Sequence, residues 1–204
     1  MRISTGDPVP PRRTHPMMDD AALTELALRA RAGDQGAATQ FVRLTQQQVW
    51  RMLVALSDRG AAEDLTQETY ARAFRSLPGF RAESSVRAWL LSIARRVAAD
   101  HVRGIRARPR IDPDVAPEDA PNAVTGGDLS EAVALHAVLD TLDPDRRLAF
   151  LLTQLLGLSY HEAAQVCDCP IGTIRSRVAR ARDDLIGHLA DREHPEIRPH
   201  RGSG

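Results

Sequence analysis

What most constrains this chain is its punctuation: four long stretches with helical apolar spacing follow one another in its first half, each ended by glycine or proline. DDAALTELALRARAGD is stopped at Gly33, QGAATQFVRLTQQQVWRMLVALSD at Gly60, and AAEDLTQETYARAFRSL at Pro78 and Gly79, after which SSVRAWLLSIARRVAADHVR runs to about Gly104. Apolar residues recur three and four apart, as a helix burying one face requires, and no stretch alternates apolar and polar as a half-buried strand would. Only 4% of the chain is aromatic against 43% apolar, so Leu, Ala and Val must do the packing. The expectation is an all-α protein.

A second group of helices follows a break. ARPRIDPDVAPEDAPNAVTGG is rich in Pro, Asp and Gly and nearly empty of large apolar residues, which reads as an exposed, flexible linker. Beyond it, Asp128 with Glu131 forms a capping box for LSEAVALHAVLDTL, Asp143 with Pro144 starts PDRRLAFLLTQLLG, Ser159 with Glu162 caps YHEAAQVC, and the last helix opens at Pro170. Two small helical domains are thus expected, at 19–105 and 128–189, joined by a linker at 106–127 and flanked by disordered tails at 1–18 and 190–204. Met17 and Met18 are alternative starts to Met1.

Several function classes lose support at this level. No apolar run is long enough to cross a bilayer, and MRISTGDPVPPRRTHP lacks the apolar core of a signal peptide, so a cytoplasmic protein without membrane insertion is expected. There is no nucleophile with a base, no metal constellation and no phosphate-cradling glycine loop, so neither catalysis nor a cofactor is expected. Net charge is zero, but its distribution is segregated. Arg87, Arg95, Arg96, Arg103, Arg106, Arg108 and Arg110 face one acid, Asp100, whereas Asp112 to Glu131 holds acids and no base.

The stretch CDCPIGTIRSRVARARDDL, residues 167–185, carries the sharpest functional signal. A short capped helix, a tight turn and a second helix outline a helix-turn-helix, whose second helix lies in the DNA major groove. At about 100 degrees per residue, Ile174, Val178, Ala181 and Leu185 share one stripe. Gly172, Thr173, Ser176 and Arg180 lie opposite, with Arg175 on a flank; small residues allow close approach, and Arg forks onto guanine or phosphate. A solvated basic helix has the same pattern, and the residues alone leave the two readings even. Cys167 and Cys169 have one residue between them, too few for the paired ligands of structural zinc or for a redox motif, so they are expected to pack in the turn. His161 is expected on the helix surface or at its cap.

In the first group, Asp64, Gln67, Glu68, Ala71 and Arg75 lie on the arc of their helix opposite Tyr70 and Phe74, where a solvated face is the ordinary reading of such a charge run. On the next helix Leu90, Ile93 and Val97 point inward. Arg87, Arg95, Arg96 and Arg103, near Ser84 and Ser85, would face a phosphate backbone or solvent, while Phe80 and Trp89 offer surfaces for an unstacked base, Trp89 being the better core residue.

Taken in order and spacing, DLTQETYARAF, FRAESSVRAWLLSIARRVAADHVR and GLSYHEAAQVCDCPIGTIRSRVARAR resemble the extracytoplasmic-function (ECF) subfamily of the sigma-70 family of bacterial RNA polymerase sigma factors, over roughly residues 19–188. The resemblance implies a promoter-specificity subunit that binds core polymerase and promoter DNA and promotes strand opening without chemistry of its own. It places core polymerase on Asp64, Gln67 and Glu68. Phe80, Ser84, Ser85, Arg87, Arg95 and Arg96 fall to the downstream promoter box and melting, although Arg96 stands where many members have Asn. Thr173, Arg175, Ser176, Arg177 and Arg180 fall to the upstream box. An anti-sigma protein is a further candidate partner, and the acidic linker either mimics nucleic acid or keeps the linker soluble. The rival reading is a free-standing helix-turn-helix regulator, which has no use for the DLTQE face.

Overall fold

A computed structural model describes residues 20–57, 60–107 and 139–193, and every regular element among them is helical. The linker, both tails and the capping box at Asp128 and Glu131 lie outside the described residues. The first half holds α1 (Asp20–Arg31), α2 (Gln35–Leu56), α3 (Ala62–Ser76) with a 3-10 turn at Leu77–Gly79, and α4 (Val86–Ala107). The second holds α5 (Pro144–Phe150), a π turn at Leu151–Leu155, α6 (Tyr160–Cys167) and α7 (Ile171–Glu193).

The expected stop at Gly33 is where α1 ends, since Gly33 adopts φ +97, a left-handed conformation that costs a glycine little. Asp34, at the end of the first stretch in the sequence, is the N-cap of α2, with Oδ1 accepting from the Ala37 N–H at 2.9 Å. Oδ2 of the same carboxylate accepts from Arg29 Nη2 at 2.6 Å, which ties the end of α1 to the start of α2. Ser57 closes α2 by donating its hydroxyl to the Leu53 carbonyl at 2.7 Å.

Phe41, Val49, Met52 and Leu53 of α2 meet Leu65, Tyr70 and Ala73 of α3 and Leu90, Leu91 and Val97 of α4 in the core. One buried polar pair crosses it: the Thr45 and Tyr70 hydroxyls lie 2.7 Å apart, and Thr45 also donates to the Phe41 carbonyl at 2.7 Å. Burial pushes the Tyr70 phenol up to about 12.

Asp143 caps α5, as expected, accepting from the N–H groups of Asp145 and Arg146, with Pro144 at the first helical position. The single helix expected through PDRRLAFLLTQLLG instead widens at Leu151, where the Leu156 N–H reaches back five residues to the Leu151 carbonyl at 2.9 Å. Ser159 and Glu162 form the expected capping box of α6.

The two halves touch. α6 packs across α4, α5 packs against α2, and one continuous apolar cluster runs from Leu23 in α1 to Val178 in α7. A small second cluster joins Leu139, Leu142 and Ala181, flanked by Phe150, Leu155 and Leu185.

Candidate nucleic-acid interface

The turn between α6 and α7 is made by Asp168, whose left-handed φ of 52 a short polar side chain tolerates. α7 follows within three residues, and Ile174, Val178 and Ala181 are almost wholly buried, as the stripe requires. Arg175, Ser176 and Arg180 are exposed on the outer side, and Thr173 is half-buried at their edge. Arg177, grouped with them in the sequence, is turned back into the protein. Its guanidinium pairs with Asp145 of α5 and donates to the Cys169 sulfur at 3.7 Å, so it braces the turn. Arg146 to Asp184 at 2.7 Å and Arg182 to Gln154 at 3.0 Å brace the same helix further along.

Cys167 is buried and Cys169 partly so, and both are free thiols. Burial pushes the Cys167 thiol up to about 12, leaving it an inert packing group. Among the described residues no group of His, Cys, Asp and Glu is arranged to hold a metal. His161 is exposed, beside Gln165.

The α4 residues divide differently from the sequence reading. Arg87, expected to face solvent or phosphate, is only 4% exposed, because the second half closes over it. Its Nη2 donates to the Leu156 carbonyl at 2.7 Å and its Nε to Gln48 Oε1 at 3.2 Å. Leu156 ends the π turn, where helix carbonyls lack internal partners and the helix dipole is negative; a guanidinium satisfies both. Phe80, expected to offer an aromatic surface, is also buried, its ring 4.9 Å from that of half-buried Trp89, while its carbonyl accepts from Arg31 at 2.8 Å.

Ser85 caps the start of α4 by accepting from the Ala88 N–H at 3.2 Å and donates to Asp20 at 3.3 Å; Ser84 is half-buried beside it. Ser85 also reaches Glu162 of α6. Burial would push the Glu162 carboxyl up, but the Ser159 N–H and hydroxyl, with Ser85 and Arg87, hold it below its ordinary value. Arg96 is exposed, and half-buried Arg95 lies near enough to Cys167 to act on that thiol.

On α3, Asp64 and Gln67 are exposed and Glu68 is half-exposed, clear of the core formed by Leu65, Thr69, Tyr70 and Ala73. Glu68 Oε1 accepts from Arg72 Nε at 2.7 Å and from Arg75 Nη2 at 3.4 Å, and the Arg72 guanidinium holds the carboxyl below its ordinary value. Arg72, Asp100, Gln48 and Asp145 were missed as site residues. The i,i+4 spacing of Glu68 and Arg72 is a signal for one of these contacts; the others join residues far apart in the chain.

Residues 41–109 match the family Sigma-70 region 2, and residues 132–185 match Sigma-70, region 4. The class is a helical transcription factor with both sigma-70 regions in one chain. The chain is 53% identical over 183 residues to the ECF RNA polymerase sigma factor SigC of Mycobacterium tuberculosis (strain CDC 1551 / Oshkosh), covering 88% of this chain and 96% of that protein. It is 33% identical over 181 residues to the ECF RNA polymerase sigma-E factor of Escherichia coli (strain K12), covering 82% and 93%. Among solved structures it is similar to CnrH in complex with the cytosolic domain of CnrY, at TM-score 0.66 and 25% identity over 83% of this chain and 97% of that one. A second is the sigma factor RpoE in complex with the anti-sigma factor NepR from Bartonella quintana, at TM-score 0.59 and 31% identity over 74% and 96%. The chain belongs to the ECF subfamily of the sigma-70 family of RNA polymerase sigma factors and serves transcription initiation.

Proposed function

We propose that this sigma factor divides its work among three surfaces. The outer face of α7, with Arg175 and Arg180 and with Thr173 and Ser176 near the helix start, reads the upstream promoter box in the major groove. The 80–85 loop and α4, through Ser84, Ser85, Arg87, Arg95 and Arg96, capture the downstream box and favour opening, with buried Phe80 packed on Trp89 as support. Asp64, Gln67 and Glu68 of α3 dock on core polymerase. The observation that carries this reading is the simultaneous exposure of the α3 acidic and amide face and the α7 basic face on helices whose opposite sides are buried. A free-standing regulator needs only the second face.

The work is done by binding. A captured base contributes about 1–3 kcal/mol, comparable with the cost of unstacking a step, so the chain needs no catalytic group. Arg177 acts as a brace for the reading helix. Because Arg87 and Ser85 are engaged by Leu156 and Glu162, their use on DNA requires the second half to leave α4. A reading of the chain as two units at 19–105 and 128–189, joined at 106–127, suits that movement. The anti-sigma factor bound in the RpoE structure supports an anti-sigma protein as a further ligand, and the cytoplasm as the place of action follows from work on polymerase. No helix among the described residues is long and apolar enough to cross a membrane.

Association with purified bacterial core polymerase is the direct test. The unmodified chain is expected to co-elute with core and direct promoter-specific initiation, and Gln67→Ala with Glu68→Lys to abolish both at an unchanged melting temperature. Tight operator binding by the chain alone, with no core association, would establish the regulator instead.

A further inference from the structure

The Glu68 side chain belongs to a longer line of charges. From Glu68, Arg72 spans to α4: its Nε donates to Glu68 Oε1 at 2.7 Å and its Nη1 to Asp100 Oδ2 at 2.6 Å. The other oxygen of Asp100 accepts from Arg103 Nη2, one turn further along α4. Arg75, Glu68, Arg72, Asp100 and Arg103 therefore alternate in sign across the α3–α4 seam. Both carboxylates sit below their ordinary values, Glu68 because of Arg72, and Asp100 because of Arg72 and Arg103.

We propose that Asp100 is a positioning residue that sets Glu68 for polymerase through Arg72 and couples that contact to Arg103. The inference rests on the reading of Glu68 as a polymerase contact. Among the described residues both donors to Glu68 act on Oε1, which leaves Oε2 for an incoming cation or amide of the partner. Arg72 can hold Glu68 in one rotamer because its own guanidinium is fixed at its far end by Asp100; without that anchor its four-bond stem has no reason to stay. A partner group that takes charge from Glu68 turns Arg72 more fully onto Asp100. Asp100 then needs Arg103 less, and Arg103, whose side chain is 75% exposed, is released toward a phosphate. Polymerase binding and DNA binding thereby favour one another without movement of the core.

Individual pairs this exposed change affinity by only ~2–5-fold, so the coupling, not the size, is the signature. The test uses the full chain and core polymerase, with Glu68→Gln, Asp100→Asn, the two together, and Asp100→Glu. Expected are a ~2–5-fold loss of core affinity for Glu68→Gln and for Asp100→Asn at unchanged melting temperature, no further loss in the double variant, and rescue by Asp100→Glu. In the holoenzyme, Asp100→Asn should preserve or raise affinity for a promoter fragment, because it frees Arg103. Additive losses, or an Asp100→Asn variant that binds core normally while Glu68→Gln is weakened, would overturn the relay alone. If Glu68→Gln itself binds core normally, the polymerase contact and the relay both fall.

Discussion

Arg87 and Leu156 stand 69 residues apart in the chain, yet the Arg87 guanidinium donates to the Leu156 carbonyl at 2.7 Å and is buried there. Arg87→Ala strands that carbonyl and Gln48 at a closed junction. The expected loss is about 1–3 kcal/mol of stability, seen as a lower melting temperature of the full chain. Gln48→Ala should cost less, since it leaves the Arg87 bond to the Leu156 carbonyl in place. An equal loss in both would show that Arg87 serves the first half and not the junction.

A second prediction concerns the Thr45–Tyr70 pair, buried where α2 meets α3. Thr45→Val keeps the shape but leaves the phenol without its partner, costing about 1–3 kcal/mol, whereas Tyr70→Phe on its own leaves Thr45 with the Phe41 carbonyl and should cost less. The pH dependence follows from the raised phenol. The stabilisation is complete below the ordinary tyrosine value of 10.0 and is lost as pH rises through about 12. In a Tyr160→Phe variant, spectrophotometric titration should find the Tyr70 phenol ionising at about 12, and ionisation near the ordinary value of 10.0 in the folded protein would contradict the burial.

The α6 capping box has the opposite sign. Glu162 lies below its ordinary value of 4.5 in the folded protein, so its contribution is present above about 4.5 and fades as pH falls through its lowered folded value. Glu162→Gln keeps a capping-box side chain but removes its charge at the helix N-terminus, so it should cost about 0.3–1 kcal/mol at neutral pH and flatten the acid limb of the stability curve. An unchanged acid limb would mean that Glu162 is not among the groups that protonate on acid unfolding.

On α7 the three arginines should separate. Arg175→Ala or Arg180→Ala is expected to weaken upstream-box binding with no change in melting temperature, a lost bidentate base contact costing about 1–3 kcal/mol of discrimination. Arg177→Ala should lower the melting temperature modestly and be matched by Asp145→Ala, its partner. Binding loss from Arg177→Ala that Asp145→Ala does not reproduce would move Arg177 onto the DNA.

The all-helical architecture, the stops at Gly33 and Pro78, the caps at Asp143 and Ser159, and the buried stripe of α7 were legible because each depends on residues within a turn or two of one another. So was the outward placement of Asp64, Gln67, Arg175, Ser176 and Arg180, which follows from helical period once the buried face is known. Tertiary structure alone decided that Arg87 points inward, that Phe80 lies under Trp89, and that Arg72 reaches Asp100, 28 residues away. Several arginines lie along α4, and nothing in their spacing says which will meet a carbonyl at the end of a π turn from the other half of the chain. That choice is made by packing: where α6 crosses α4, a buried guanidinium is tolerated only at the position that finds acceptors for its N–H groups.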